Sequence, residues 1–219
     1  MLGYWNYTVL LTYLSVLLAC LGIGLCIYNP SHATDYAALC LLTCGLFDMF
    51  DGKVARTKKD RTELEKDFGI QIDSLSDLVA FGVLPAAIGF RLLSGLWNKW
   101  YFVFFAIILL CYVLFGLVRL GYFNALENKR SKEEDTVLKY YTGLPITMAS
   151  LIIPFVYCGS FFLDVKYFRF VYLGALAIIG LLYVIKIKIP KAGKKLIPTF
   201  ALIGLALCVT IIVLYFVSK

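Results

Sequence analysis

Seven apolar runs dominate this chain: residues 8–28, 35–51, about 73–93, 98–121, 141–163, 168–186 and 196–217. A helix that crosses the roughly 30 Å hydrocarbon core of a bilayer needs about 20 apolar residues. In lipid only helices and closed barrels satisfy their own backbone groups. The ten-residue alternation of a barrel strand does not recur here. The chain is 61% hydrophobic, with a mean hydropathy of +0.84, whereas a soluble domain is about 45–50% apolar. It therefore reads as an all-α polytopic membrane protein.

The first run has no Lys or Arg before it and no small-residue cleavage site, so it is expected to be a retained helix and not a signal peptide. The seven cysteines fall in apolar runs without metal-type spacing, except that Cys40 and Cys44 are four residues apart. They are expected to pack as small hydrophobes, with no disulfide framework.

Lys and Arg alternate in abundance between the two sides of the spans. Segments after runs two, four and six hold 16 of the 21, among them Lys53, Arg56, Lys58, Lys59, Arg61, Lys66, Arg119, Lys129, Arg130, Lys132, Lys139, Lys186, Lys188, Lys191, Lys194 and Lys195. The opposite side holds Arg91, Lys99, Lys166, Arg169 and Lys219. By the positive-inside rule the first side is cytoplasmic, with the N-terminus inside and the C-terminus outside. Topology and anionic lipid thus explain the net charge of +7, and no nucleic-acid partner is expected. Trp97, Trp100 and Tyr101 suit an aromatic belt at the outer interface. His32, in a short outer loop, shows no partner in the sequence.

Four aspartates interrupt this pattern. Asp48 and Asp51 end the second run, and Asp73 and Asp77 begin the third. Their i, i+3 and i, i+4 spacings stack each pair on one helix face. Four carboxylates so close repel one another, and one charge at mid-membrane costs roughly 2.5–3.5 kcal/mol on insertion scales. Hard divalent cations reverse that balance, because carboxylate oxygens suit Mg²⁺, Ca²⁺ or Mn²⁺. An EF-hand loop is excluded, since its alternate-position acids and closing Glu are absent. Gly52 and Gly69 let a ligand approach the backbone. Arg56, four residues after Gly52, supplies a guanidinium suited to phosphate. The stretch reads as a metal-bound diphosphate site at the cytoplasmic face.

Residues 48–77 resemble the signature of the CDP-alcohol phosphotransferase family, D-x2-D-G-x2-A-R-x8-G-x3-D-x3-D. Asp48, Asp51, Gly52, Ala55, Arg56, Gly69, Asp73 and Asp77 all match. One departure stands inside the motif: 12 residues, TKKDRTELEKDF, separate Arg56 from Gly69. This polar insert is expected at the surface with the site intact. Lys66 occupies a position where the family often has Ser or Thr, and Thr62 is the substitute to consider.

The resemblance implies a six-helix bundle, usually a homodimer, over residues 1–190, with residues 191–219 adding a seventh transmembrane helix. It implies that Asp48, Asp51 and Asp73 hold one divalent ion and that Asp77 joins a second, Mg²⁺ or Mn²⁺, while acting as general base. It also implies that Asp51, Gly52, Ala55, Arg56 and Gly69 bind the cytidine diphosphate.

The acceptor is suggested by D-S-L-S-D-L-V-A-F-G-V-L-P-A from Asp73, R-L-G-Y-F-N at 119–124 and Y-T-G-L-P at 141–145. These resemble the phosphatidylserine synthase branch, with Tyr122 where that branch has a second arginine. The implied reaction moves a phosphatidyl group from CDP-diacylglycerol to L-serine, with Arg119 and Asn124 on the acceptor side. Another acceptor in the same family, glycerol 3-phosphate or an inositol phosphate, remains open. So does a cation-coupled transporter, which would show Gly/Pro-broken helices repeated in two halves.

Overall fold

The computed structural model of the protein describes residues 3–28, 30–94, 99–132, 140–190 and 196–217. Helical rods form at all seven apolar runs. α1 (Leu10–Tyr28) and α2 (Ala33–Ala55) form an antiparallel pair. α3 (Glu63–Asp77) continues through a wide π-type segment, Leu78–Val83, into α4 (Leu84–Leu93). α5 covers Lys99–Lys132. α6 (Ala149–Tyr157) is flanked by 3₁₀ turns at Ile146–Met148 and Cys158–Phe161. α7 (Val165–Val184) and α8 (Leu196–Val217) complete the bundle. A short antiparallel ribbon pairs β1 (Tyr140–Thr142) with β2 (Lys188–Pro190), Tyr141 lying opposite Ile189.

Among the described residues, five rods are long and apolar enough to cross a membrane: Leu10–Tyr28, Glu63–Leu93, Lys99–Glu127, Val165–Val184 and Pro198–Val217. α2 has the length but carries Asp35, Asp48, Asp51 and Lys53. The fifth rod covers only Ile146–Phe161, shorter than the expected 141–163. At its start, Thr142 belongs to the ribbon. Pro145, expected in the first helical turn, instead precedes the 3₁₀ turn with ψ 138°, and a proline biases the residue before it away from helix.

The third rod also differs from expectation, starting at Glu63 and not near Asp73. Its 31 residues span about 47 Å at 1.5 Å per residue. Counted back from Leu93, about 30 Å of helix reaches Asp73, so the aspartates fall where a bilayer core would end.

Trp100 and Tyr101 are exposed at the start of α5. Trp97, Lys139, Lys191, Lys194, Lys195 and Lys219 lie outside the described residues.

The core is built from α2, α4, α5 and α7, with Leu41, Leu42, Leu84, Ile88, Leu109, Leu173 and Leu176 fully or almost fully buried. α8 packs on α2 and α6. At the end of the bundle away from the aspartates, Asp35 Oδ1 accepts from Tyr157 Oη at 2.7 Å, and His32 Nδ1 lies 3.0 Å from Asp35 Oδ2. The His32 ring meets Tyr215 of α8 edge-on at 4.8 Å. His32 therefore has partners on two helices, Asp35 of α2 and Tyr215 of α8.

The π segment has a cause in its sequence, F-G-V-L-P. Pro85 has no N–H, so the carbonyl four residues earlier, on Phe81, loses its usual helical donor. Buried Tyr112 of α5 fills the gap, its hydroxyl donating to Phe81 O at 2.6 Å. Tyr183 of α7 stands 3.3 Å from the Tyr112 hydroxyl and itself donates to Ile146 O at 3.3 Å. Tyr172 donates to the Pro85 carbonyl at 3.0 Å. Tyrosines from α5 and α7 thus satisfy the backbone that the irregular turn exposes, immediately after Asp77.

Two outcomes follow from this packing. Tyr112→Phe leaves the buried Phe81 carbonyl unpaired, which costs about 1–3 kcal/mol, read as a lowered unfolding temperature in detergent. Gly45→Val drives a side chain into Ser150 at the α2–α6 contact. Overpacking of this kind costs about 1–3 kcal/mol, and the same thermal measurement detects it.

Candidate active site

The aspartate pairs come together as their spacings require. One carboxylate oxygen from each of Asp48, Asp73 and Asp77 lies within 4.8 Å of the other two. Asp48 reaches from the last turns of α2, and Asp73 and Asp77 from one face of α3. Asp48 and Asp77 are within side-chain hydrogen-bonding reach, as are Asp51 and Asp73. The tightest trio is therefore Asp48, Asp73 and Asp77, whereas the family pattern groups Asp48, Asp51 and Asp73. Asp51 is buried on the α1 side and accepts from Thr12 Oγ1 at 3.3 Å.

Among the described residues no lysine or arginine forms an ion pair with any of the four. Hydroxyls and neighbouring carboxyls surround them instead. Three hard oxygen donors converging without a countercharge fit Mg²⁺ or Mn²⁺, and the trio could hold such an ion.

Thr12 belongs to a hydroxyl stripe on α1 and the turn before it. Thr8, Thr12 and Ser15 are all buried, at helical spacings of four and three. Ser76 Oγ donates to Thr12 O at 3.3 Å, tying α1 to α3 between the aspartates. This stripe was readable as polar residues on one face of an apolar helix, but its target was not.

A cavity of about 320 Å³ opens beside Asp51 and Asp73. Gly52, Ala55, Arg56 and Gly69, all matched in the motif, line it with Thr12, Arg61 and Lys66. The Arg56 guanidinium folds over Gly52, 3.6 Å from where a Cβ would sit, and that of Arg61 approaches Gly69 to 3.8 Å on the same measure. The insert between Arg56 and Gly69 is thus more than a surface bulge. It supplies two of the cavity's three cations.

The reason is where α3 begins. Thr62 caps the helix, its Oγ1 accepting from Glu65 N at 3.2 Å, so Lys66, Gly69, Asp73 and Asp77 wind onto one continuous face. Thr62 does not line the cavity. Glu65 holds the insert down, accepting from Lys58 Nζ at 2.7 Å and from Asn6 Nδ2 at 2.6 Å.

A second cavity, about 220 Å³, lies on the other side of the trio. Asp48 stands at one part of its wall, and Leu46, Met49, Pro145, Leu151, Phe200 and Gly204 make most of the rest apolar. Asn124 faces α3, its Nδ2 donating to Ser74 Oγ at 2.9 Å, next in sequence to Asp73. Arg119 is buried away from both cavities. Its Nε donates to Leu144 O at 3.0 Å and its guanidinium lies over Phe123. With Tyr122, Tyr183 and Lys186 it lines a smaller space of about 130 Å³.

The trio gives a direct prediction. Mn²⁺ titrated into detergent-solubilised protein should bind, seen as loss of the free-ion electron paramagnetic resonance signal. Asp73→Asn should weaken that binding at least about tenfold, in line with loss of a ligand or its close support.

Known proteins are similar to this chain in sequence. A stretch of 129 residues is 38% identical to a CDP-diacylglycerol–serine O-phosphatidyltransferase of Saccharomyces cerevisiae, covering 58% of this chain and 43% of that protein. The archaetidylserine synthase of Methanothermobacter thermautotrophicus is 33% identical over 160 residues, 70% of this chain and 55% of its own length. A CDP-diacylglycerol–serine O-phosphatidyltransferase of Helicobacter pylori J99 is 30% identical over 180 residues, 80% of this chain and 68% of its own. The chain thus spans about half the length of the first two relatives and two thirds of the third. The model of the CDP-alcohol phosphatidyltransferase family matches residues 5–185, a range that holds the four aspartates, both glycines and all three cavity cations. This integral membrane protein belongs to the CDP-alcohol phosphatidyltransferase family.

Proposed function

We propose that the protein transfers a phosphatidyl group from CDP-diacylglycerol to the hydroxyl of L-serine, yielding phosphatidylserine and CMP. The observation that carries this reading is the position of the Asp48–Asp73–Asp77 trio between a cationic cavity and an apolar one. The donor lipid has the same character, a nucleotide and two acyl chains meeting at a diphosphate. The names of the three relatives share serine, which supports a serine acceptor.

In this reading the nucleotide side of the donor occupies the cavity of Arg56, Arg61 and Lys66. Gly52 and Gly69 allow the diphosphate close to the helix backbones, and Ala55 keeps the wall between them low. The guanidinium groups offset phosphate charge with forked hydrogen bonds. The apolar cavity, which α8 helps to wall, takes acyl-chain carbon. The four aspartates would hold two divalent ions, Mg²⁺ or Mn²⁺, whose chemistry is to polarise the diphosphate and stabilise charge on the leaving CMP.

Asp77 accepts the proton of the serine hydroxyl as its oxygen bonds to the phosphatidyl phosphorus and the bond to CMP breaks. The π segment after Asp77, held by Tyr112, fixes the direction in which this carboxylate leaves α3. Asn124 and Arg119 serve the acceptor side, Asn124 through Ser74 and Arg119 as the cation for a serine carboxylate. The Lys/Arg distribution supports a cytoplasmic face for this end of the bundle, and the family resemblance suggests a homodimer.

One observation favours a second reading. Arg61 and Lys66 add two cations to the cavity, as a phosphorylated acceptor would need. Purified protein supplied with CDP-diacylglycerol, Mn²⁺ and labelled serine, glycerol 3-phosphate or inositol phosphate separates the two. The expected outcome is labelled phosphatidylserine with stoichiometric CMP. Product from glycerol 3-phosphate alone would overturn the serine assignment. Asp77→Asn should lower CMP release by about 10²–10⁴-fold, the usual contribution of a general base.

A further inference from the structure

We propose that the cleft between α1 and α4, at the end of the bundle opposite the aspartates, binds an anionic membrane phospholipid, with Arg91 holding its headgroup phosphate. The cleft is a cavity of about 500 Å³. Ile23, Cys26 and Ile27 form one wall, an i, i+3, i+4 stripe on α1. Ala87, Phe90, Arg91 and Ser94 form the other, again at helical spacings. Two apolar helix faces therefore diverge from a mouth that carries one cation and one hydroxyl. Arg91 lies fourteen residues beyond Asp77, about 21 Å along the helix axis, so this cleft is separate from the site described above.

Arg91 is not settled by the protein around it. One of its terminal nitrogens donates to Ser94 Oγ, and Ser94 Oγ donates to the Arg91 carbonyl at 2.7 Å. Its Nε is buried and has no hydrogen-bond acceptor among the described residues. No carboxylate pairs with it among those residues. A guanidinium at the end of a membrane span, with a buried nitrogen that lacks an acceptor and no carboxylate facing it, marks a site for an anionic partner.

The partner must be anionic, must accept from a planar fork of donors, and must bring apolar carbon to cover Ile23, Ile27 and Phe90. A phospholipid phosphate with its acyl chain meets all three requirements, and basic clefts between membrane helices take such headgroups. Free inorganic phosphate meets only the first two.

The test uses the full-length protein purified in detergent and analysed by native mass spectrometry with added phosphatidylglycerol or phosphatidylcholine. The wild-type protein should retain phosphatidylglycerol preferentially. Arg91→Gln should lower that retention at least tenfold, while Arg169→Gln, an exposed cation on α7, leaves it unchanged. CMP release by Arg91→Gln should match the wild type, which also reports that the variant is folded. If that variant does not fold, dihexanoyl-phosphatidylglycerol competing with long-chain lipid on the wild-type protein replaces it, and inorganic phosphate should fail to compete. Equal retention in Arg91→Gln, equal loss in Arg169→Gln, or displacement by inorganic phosphate would each overturn the proposal. So would a wild-type dimer that separates in Arg91→Gln without any change in bound lipid, because the cleft would then be covered by a second copy of the chain.

Discussion

The rest of this molecule is arranged around the repulsion among four carboxylates. Asp48, Asp51, Asp73 and Asp77 face each other at one end of the bundle, about 30 Å of helix from Leu93. Among the described residues no basic side chain neutralises them directly. Holding like charges together in such a place requires a stiff frame. α1 and α2 pack along most of their length, α3 is the first half of the 31-residue rod Glu63–Leu93, and hydroxyls from Thr12 and Ser76 bridge the three elements. The bases stand one step back, on the wall of the adjoining cavity. A lysine moved into the trio would relieve the repulsion and remove the reason for a cation to bind there. The separation of Arg56, Arg61 and Lys66 from Asp48 and Asp77 is therefore part of the chemistry.

The same frame contains an irregularity that regular packing alone would remove. A continuous α-helix from Glu63 to Leu93 would pair every carbonyl within itself, but Pro85 prevents this at Phe81. The wide turn that results shifts the register of everything on its Asp77 side relative to α4. Tyr112 and Tyr183 make the shift affordable in apolar surroundings, because their hydroxyls reach the backbone while their rings fill the core. The link from sequence to site here is thus a proline eight residues after an acid. It acts through a helix defect and is stabilised by tyrosines from two other helices.

The positions of the seven rods were legible because membrane spans obey a length rule, and the aspartate faces because i, i+3 and i, i+4 spacings have one geometric meaning on a helix. What was not legible depended on contacts between distant segments. Run length alone placed the fifth rod at 141–163, whereas the pairing of Tyr140–Thr142 with Lys188–Pro190 draws its first residues out of the helix. Polarity placed the insert after Arg56 at the surface. It could not reveal that a helix start at Thr62 turns Arg61 and Lys66 inward. Arg119 was legible as a cation on the side of the aspartates, but the bond from its Nε to the Leu144 carbonyl was not. Thr12 was invisible as a site residue because a threonine on an apolar helix usually bonds back to its own backbone.

α8 lies beyond the family match, which ends at residue 185, yet it is not merely appended. Its first turns bring Phe200 and Gly204 to the apolar cavity that ends at Asp48, and its last turns meet α2 through Tyr215, His32 and Tyr36. Contacts at both ends fix its tilt along α2. A helix held only by apolar contact in lipid has little hydrophobic driving force to stay in place, since lipid tails are as apolar as its own side chains. The polar and aromatic cluster at the far end supplies what the hydrophobic effect cannot. The wall that α8 adds beside Asp48 is therefore held from both ends of the helix. On the proposed reaction, a fixed wall there would let the site select the direction from which acyl chains reach the diphosphate.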